Sequence, residues 1–297
     1  MSKRVKWLVI GVLLLIIGGI LFAVGMVAVN WNFLSLDTNK YQTNTYDIAE
    51  EFGSLSIIND TTDIVFKKGE AKVVCFENEN IRHSVSVNNG VLEIRANDNR
   101  KWYNYIGFNF NNPKITIYLP SNQYDALKIE GDTGDVNLSD ISFNDIQIAL
   151  HTGDIRLSNL NSNNISLKTT TGKMQLQNIE CRGLLSTAVS TGDNELKNIK
   201  CNSFASNGST GDLDIENLIV AEKTSIERDT GDIEFEGLDA NEIYIKTDTG
   251  DVEGDLRSEK VFIINTDTGR VNVPKTITGG KCEITTNTGD IKIEIEK

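Results

Sequence analysis

The sequence predicts an all-β fold, a β-solenoid of 19–20-residue coils preceded by one N-terminal transmembrane helix. Three observations predict it: an uncharged run near the N-terminus, a Thr-Gly pair that recurs every 19 or 20 residues, and apolar-polar alternation after each pair. The chain has 297 residues, of which 39% are hydrophobic and 24% charged. These values are typical of a folded globular protein and exclude wholesale disorder.

The helix is predicted by an uncharged segment of 23 residues, Trp7 to Val29, which would be about 34 Å long. Lys3, Arg4 and Lys6 precede this segment, and Asp37 is the first charge after it. This asymmetry predicts a cytoplasmic N-terminus and an extracytoplasmic bulk, in a single-pass protein of the cell membrane. A cleaved signal peptide is the alternative, although its apolar region is normally only about 7–15 residues long.

The composition divides the chain into five parts. We expect a cytoplasmic tail over 1–6, a transmembrane anchor over 7–29, a linker over 30–44, an irregular β N-terminal cap over 45–130 and a regular β-solenoid over 131–297. A cap is expected because the open ends of a solenoid need atypical coils to cover them. Within the cap, Thr61-Thr62-Asp63-Ile64 looks like a decayed corner of the repeat, and Asn89-Gly90 predicts a hairpin turn.

The repeat is registered on nine glycines that each follow a Thr: Gly134, Gly153, Gly172, Gly192, Gly211, Gly231, Gly250, Gly269 and Gly289. Apolar residues two and four positions later, with polar residues between them, predict strands that have one buried face. So short a unit must stack on its neighbours, about 4.8 Å apart. Asn or Asp six positions after the Gly predicts a second bend, because these residues tolerate the left-handed conformation. Asn194 stands at an inward position and needs a hydrogen-bond partner there.

Stacking should align the residues that follow the corner glycines, such as Asp232 and Asp251, into one column. The residues two positions before the glycines, such as Asp229 and Asp248, should form a second column. Where two columns are both acidic, they could hold a hard cation such as Ca²⁺, and this predicts a metal site formed by Asp229, Asp232, Asp248, Asp251 and Asp267. The alternative is that each Asp caps the turn backbone while salt screens the surface charge. We expect no other cofactor.

A second candidate site is a local concentration of aromatic residues among asparagines in the cap. It comprises Trp102, Tyr103, Tyr105, Phe108 and Phe110. Aromatic rings stack on sugar faces and amides hydrogen-bond beside them, so this segment could bind a ligand such as a glycan. The alternative is that the rings plug the open core of the first coil.

Cys181 and Cys201 each lie nine residues after their Gly, so we expect them to stack on adjacent coils at a spacing that would allow a disulfide. The net charge of −13 argues against nucleic acid. Two His and four scattered Cys leave little for a zinc site or a Cys-His enzyme. Coils without insertions leave no long loops to wall a cleft, so we assign no catalytic residues and expect no enzyme.

The repeated Thr-Gly-Asp units include 132-DTGDVNL-138 and 229-DTGDIEF-235, and the strand 115-ITIYLP-120 precedes them. Over residues 45–297 these motifs resemble a bacterial β-strand repeat family labelled "putative adhesin", a domain of unknown function. The resemblance implies a β-solenoid on a bacterial cell surface. It carries over no catalytic residues.

These observations predict a membrane-anchored cell-surface β-solenoid, an adhesin-like binding or structural module without catalysis. Its expected partners are the lipid bilayer, through residues 7–29, and a cell-wall glycan or a surface protein. Two alternatives remain open: an envelope-stress or signalling accessory protein, and a polysaccharide-acting enzyme.

Overall fold

A computed structural model describes residues 3–32, 40–99 and 111–296 of the chain. One α-helix, α1, spans Lys3–Ala28 and precedes the strands. In chain order the strands are β1 Tyr41–Asp47, β2 Ser54–Thr61, β3 Asp63–Lys68, β4 Lys72–Asn78, β5 Ile81–Asn88, β6 Val91–Asp98, β7 Lys114–Leu119, β8 Gln123–Thr133, β9 Val136–Ser139, β10 Ser142–Thr152, β11 Ile155–Ser162, β12 Asn164–Thr171, β13 Met174–Thr191, β14 Asn194–Thr210, β15 Leu213–Thr230, β16 Ile233–Thr249, β17 Val252–Leu256, β18 Lys260–Thr268, β19 Val271–Asn272, β20 Gly280–Thr288 and β21 Ile291–Ile295.

The N-terminal helix contains nearly all of the uncharged segment. Its span Arg4–Ala28 is long and apolar enough to cross a membrane, and its side chains are exposed except that of Met26. The first strand, β1, begins at Tyr41, inside the segment expected as a linker.

The β-solenoid predicted from the repeat is confirmed. Strands of neighbouring coils pair in parallel and in register, so that Thr152 aligns with Thr133 on one side and Thr171 on the other. The corners are linked by the backbone: the amide of Gly172 donates to the carbonyl of Thr191 in the next coil at 3.0 Å. Inward apolar residues of each coil, such as Met174 at 0% exposure, form one continuous core.

Both bends of the coil have the backbone conformation that the sequence predicts. Gly172 has φ +147°, and a Cβ added there would overlap the carbonyl of Gly153 in the preceding coil. Glycine is therefore required by conformation and by close approach. The second bend has left-handed residues in successive coils, namely Asp140, Asn159, Asn178, Asn198 and Asn217 with φ of 53–61°, and Gly237 with φ 66°.

At the N-terminal end the spatial order of coils differs from the chain order. β2 lies between β6 and β8, and β3 lies between β7 and β9. The predicted decayed corner is confirmed, since Thr61 aligns with Thr133 and Ile64 with Val136. β4 runs antiparallel between β1 and β7, and β5 and β6 form the predicted hairpin at Asn89-Gly90.

The C-terminal end has the same kind of insertion. β20 lies between β16 and β18, and β21 lies between β17 and β19. The last strand, from Asp290 onward, is therefore not a bare edge, although its position in the chain would suggest one. The inner position buries Cys282, Ile284 and Ile291 completely, at 0% exposure each, whereas Phe262 and Ile264, the register partners of Cys282 and Ile284 on the edge strand β18, are only partly buried.

Candidate functional site

The aspartates after the corner glycines form a ladder of hydrogen bonds that is interrupted at Lys173. The Oδ1 atom of each accepts from the backbone amide of the equivalent residue in the next coil. Asp212 accepts from Asp232 at 2.8 Å, Asp232 accepts from Asp251 at 2.8 Å, and Asp251 accepts from Asp290 at 2.7 Å. One oxygen of each carboxylate is thus used to stabilise the corner, as the backbone-capping alternative requires.

The five aspartates predicted to bind a cation do not form one uninterrupted group. Asp232 and Asp251 are adjacent in the corner ladder. Asp248 and Asp267 are separated by Asn287 because β20 is inserted between their coils, and Asn287 Nδ2 donates to Asp248 at 3.3 Å. The assumption that coils stack in chain order fails here, and with it the predicted contact between Asp267 and the other carboxylates.

A larger concentration of negative charge lies on the outward positions three and five residues after the corner glycines. We call it the acidic face, defined by Glu195, Asp214, Glu216, Glu234, Glu236, Glu253, Asp255 and Glu294. Two shallow grooves run along it. Partial burial and the neighbouring charge of Glu195 raise the pKa of Asp214 above its ordinary value.

Basic residues neutralise the carboxylates only in part. Lys197 Nζ lies 2.5 Å from Glu216, and Lys292 pairs with Glu253. The two cations that interrupt the aspartate column behave differently. Arg270 bridges to Asp290 of the column at 2.6 Å, whereas the Lys173 side chain pairs with Glu195 on the acidic face.

The aromatic segment that carries the other candidate site lies outside the described residues. This holds for Trp102, Tyr103, Tyr105, Phe108 and Phe110. Among the described residues, aromatic rings occupy the core of the first coils. Tyr124 stacks on Phe52 at 5.7 Å and on Phe143 at 5.5 Å between ring centroids.

Cys181 and Cys201 are register partners on neighbouring coils, as expected. Both are free, buried thiols in the structure, so the disulfide that their spacing would allow is not formed in it. Cys75 and Cys282 are also free and buried.

The N-terminal cap contains a buried polar cluster that the sequence analysis missed. Cys75 and Glu77 lie on β4, and His83 lies on β5. Their exposed fractions are 0%, 1% and 3%, and one candidate ligand atom from each lies within 4.8 Å of the other two. The alternation of Cys75 and Glu77, which places both side chains on one face of the strand, was the available signal. Nothing in the spacing of His83 marked it as their neighbour.

Hydrogen bonds hold this cluster in place. Glu77 Oε2 lies 2.7 Å from His83 Nδ1 and accepts from the backbone amide of His83 at 2.8 Å. Its other oxygen accepts from Asn44 Nδ2 at 2.6 Å, and Asn59 Oδ1 lies 3.4 Å from His83 Nε2. Burial, with a smaller effect from Glu77, raises the pKa of Cys75 to about 12. A thiol, a carboxylate and an imidazole therefore face one another away from solvent.

Solved structures of similar fold are known, but their sequences have diverged far from this one. A "putative lipid binding protein" from Parabacteroides distasonis is 12% identical, with a TM-score of 0.50 over 88% of this chain and 98% of that chain. A "putative adhesin" from Bacteroides fragilis is 14% identical, with a TM-score of 0.44 over 88% of this chain and 99% of that chain. None of the curated proteins matches the chain in sequence.

The family is shown by the sequence itself. The profile of the Toastrack DUF4097 family matches residues 52–236 and again 183–297. These matches span the solenoid together with most of the cap, and they confirm the family resemblance expected from the Thr-Gly-Asp units. The chain belongs to the Toastrack DUF4097 family.

Proposed function

We propose that this protein is a membrane-anchored, non-catalytic module of the cell surface that binds or spaces envelope components through its solenoid. The observation that carries the proposal is the acidic face. It presents carboxylates in register on successive coils, with Glu195, Asp214, Glu234 and Glu253 aligned one above another.

Such a surface favours a repetitive partner over a small molecule. Ligands and substrates of small size are normally held in concave, largely apolar pockets. The acidic face offers shallow grooves lined by carboxylates, with Lys197 and Lys292 as the cations within them. A flat surface that is mainly negatively charged attracts positively charged partners. We therefore propose a wall polymer or a surface protein that carries regularly spaced cationic groups.

The helix supports the anchoring part of the proposal. Three cations precede the apolar segment, while the remaining chain carries 26 basic and 42 acidic residues, since Lys3, Arg4 and Lys6 account for three of the 29. The predicted orientation places the acidic solenoid outside the membrane. Labelling of intact protoplasts with a membrane-impermeant amine reagent tests this orientation. We expect the solenoid lysines to be labelled, and an unlabelled solenoid would indicate the opposite topology.

The binding test uses the full-length protein in detergent micelles and purified cell wall. The variant Glu234→Lys/Glu236→Lys reverses two charges at the centre of the acidic face, where both residues are exposed. The variant Glu180→Lys/Glu222→Lys makes the same charge change at exposed positions elsewhere. We expect about tenfold less of the first variant than of wild type to be retained on the wall, because electrostatic attraction is lost. The control variant should be retained as well as wild type.

Three results would contradict the proposal. An equal loss of wall retention in both variants would show that retention depends only on the net charge of the protein and not on the acidic face. Turnover of the glycan would favour a polysaccharide-acting enzyme. Association with envelope partners that survives removal of residues 45–297 would favour an accessory protein acting through its helix.

The aromatic segment offers a second contact for a glycan, and the variant Trp102→Ala/Tyr105→Ala tests it. Weaker retention on the wall at an unchanged melting temperature supports binding. A lower melting temperature at unchanged retention supports a plug of the first coil.

A further inference from the structure

We propose that Cys75, Glu77 and His83 form a binding site for a borderline transition-metal ion such as Zn²⁺. The donor set is a sulfur, a carboxylate oxygen and an imidazole nitrogen. Zinc is bound in proteins by this set of ligands, while calcium and magnesium prefer oxygen ligands alone. The site is therefore chemically distinct from the carboxylate columns of the solenoid.

The distances suit a single ion. One ligand atom from each of the three residues lies within 4.8 Å of the other two. Zinc binds thiolate sulfur at about 2.3 Å and imidazole nitrogen at about 2.0–2.1 Å, so ligand atoms in a tetrahedral site are about 3.3–3.8 Å apart. A shift of up to about 1 Å brings Cys75 Sγ close enough to share an ion, while Glu77 Oε2 and His83 Nδ1, now 2.7 Å apart, must separate by roughly 0.6 Å. Both movements are within the reach of side-chain rotation.

The backbone holds the ligands ready for binding. Cys75 and Glu77 are two positions apart on β4, so their side chains leave the same face of the strand. β4 is paired on both sides, antiparallel to β1 and to β7, which fixes its position. His83 enters from β5 and is tied to β4 by the hydrogen bond from its backbone amide to Glu77 Oε2.

A second layer of polar groups orients these ligands. Asn44 donates to Glu77 at 2.6 Å and leaves the other carboxylate oxygen facing His83. Tyr46 donates from its hydroxyl to the carbonyl of His83 at 2.9 Å. Asn59 Oδ1 lies 3.4 Å from His83 Nε2, on the other side of the ring from Glu77, where it can accept a hydrogen bond from Nε2 and leave Nδ1 to bind the ion. Outer hydrogen bonds of this kind are typical of metal sites.

Charge balance also favours a divalent ion here. Cys75 Sγ donates no hydrogen bond to any residue that the structure describes, although it is fully buried beside two polar groups. On metal binding, the S–H bond of Cys75 breaks, its proton leaves to solvent, and the thiolate bonds to the ion. One thiolate and one carboxylate then neutralise the two positive charges while the imidazole binds as a neutral ligand. Burial of a neutral assembly avoids the cost of an isolated buried charge.

The test is a titration with Co²⁺ of the full-length protein in detergent micelles, made without a polyhistidine tag and treated first with a chelator. Cobalt bound to a thiolate gives a charge-transfer band in the near ultraviolet. We expect this band to saturate at one equivalent and to disappear when Zn²⁺ is added. Cys75→Ser should abolish the band, and His83→Gln should weaken cobalt binding by at least about tenfold.

Cys282→Ser is the matched control, because Cys282 is an equally buried free thiol far along the chain. This variant should keep the full charge-transfer band. Melting temperatures measured with and without Zn²⁺ give a second readout: the ion should raise the melting temperature of wild type and Cys282→Ser, and not that of Cys75→Ser.

The proposal is overturned if wild type shows no charge-transfer band and no zinc-dependent rise in melting temperature. It is also overturned if Cys75→Ser and His83→Gln retain cobalt and zinc responses equal to wild type, since the ion would then lie elsewhere. Because the readouts do not involve wall binding, they are independent of the proposed function.

Discussion

Asn194 and Arg228 meet inside the solenoid, where the other inward positions are mostly apolar. With its amide oriented to satisfy its neighbours, Asn194 Oδ1 accepts from Arg228 Nη2 at 3.1 Å. Ser206 lies between them and accepts from the same Nη2 atom at 3.1 Å. Asn194 is 0% exposed and Arg228 only 4%. The hydrogen-bond partners that Asn194 requires are thus the hydroxyls of Thr187 and Ser206 and the buried guanidinium of Arg228 in the neighbouring coil.

The chain makes room for this cation in a specific way. Gly208 aligns with Arg228 in the neighbouring coil, and a Cβ at residue 208 would overlap the guanidinium. Burial lowers the pKa of Arg228 to about 10. Arg228 and Asn194 therefore form a hydrogen-bonded polar pair inside an apolar stack, and Ser206 bonds to both residues.

We predict that Asn194→Leu lowers the free energy of unfolding by about 1–3 kcal/mol, because it leaves a buried donor of Arg228 without its acceptor. Arg228→Met alone should also destabilise, by a similar amount. The double variant should lose less than the sum of the two by at least about 1 kcal/mol, since neither polar group is then left unpaired. Denaturation of all four proteins measures this coupling, and strictly additive losses would show that the two residues do not interact.

The bend after each corner supports a second prediction. Asn178 has φ 53°, donates to Asn159 Oδ1 at 2.8 Å and accepts from Asn198 Nδ2 at 3.1 Å. Asn178→Ala should lower the free energy of unfolding by about 1–2 kcal/mol, because alanine resists the left-handed conformation. It also interrupts the ladder of hydrogen bonds between the stacked asparagine side chains. Asn178→Gly is the matched control, as it keeps the conformation and loses only the ladder; Gly237 already occupies the equivalent position in another coil. If glycine destabilised as much as alanine in thermal melting, the ladder and not the conformation would dominate.

The corners and bends were predictable from sequence because each is set by a local requirement that repeats. Gly172 and Asn178 both have positive φ angles, which few residue types other than glycine and asparagine adopt, so the residue type itself indicates the backbone conformation. The inward positions were predictable for the same reason, since alternation marks the buried face of every strand.

The spatial order of the coils was not predictable, because equivalent positions of different repeats are interchangeable. Thr249 aligns with Thr288 in the structure, and Thr268 would offer the same hydroxyl, the same following glycine and the same strand period. Which of two similar coils stacks against a third depends on the packing of their side chains, and no short sequence motif indicates it. The cluster of Cys75, Glu77 and His83 escaped notice for a related reason, since antiparallel pairing in the cap has no repeat to register it.

The acidic face leads to a prediction about pH. The pKa of Asp214 is raised, so its carboxylate is more costly in the folded protein than in the unfolded chain, and stability falls as the pH rises through the folded pKa. Asp214→Asn should therefore raise the melting temperature at neutral pH. The gain should stay below the few degrees that correspond to about 1 kcal/mol, because solvent screens this exposed side chain.

The pH dependence separates this effect from a change in packing. The advantage of Asp214→Asn should shrink as the pH falls below the folded pKa of Asp214, where the wild-type carboxyl is itself neutral. Glu180→Gln is the control, because Glu180 aligns with Lys200 and loses an attraction, so it should bring no gain. A gain for Asp214→Asn that persisted unchanged in acid would contradict the electrostatic explanation.

The inserted C-terminal strands give the sharpest test of the coil order. Among the described strands, β18 pairs only with β20 and β19 pairs only with β21. A chain that ends at Gly279 loses both β20 and β21, so residues 260–272 should lose their only partners. We expect hydrogen exchange of the amides in 260–268 to accelerate at least about 100-fold, while amides of β13 to β15 keep their protection.

A chain that ends at Leu256 is the matched control, because it removes the edge strands together with the inserted ones and leaves β16 and β17 as the terminal coil. Both truncated chains should melt at nearly the same temperature, since unpaired strands contribute little to stability. If residues 260–268 instead remained protected in the longer chain, β18 would have paired directly with β16. The coils would then be able to stack in chain order, and the insertion of β20 would be a preference of the complete protein that depends on the burial of Cys282, Ile284 and Ile291.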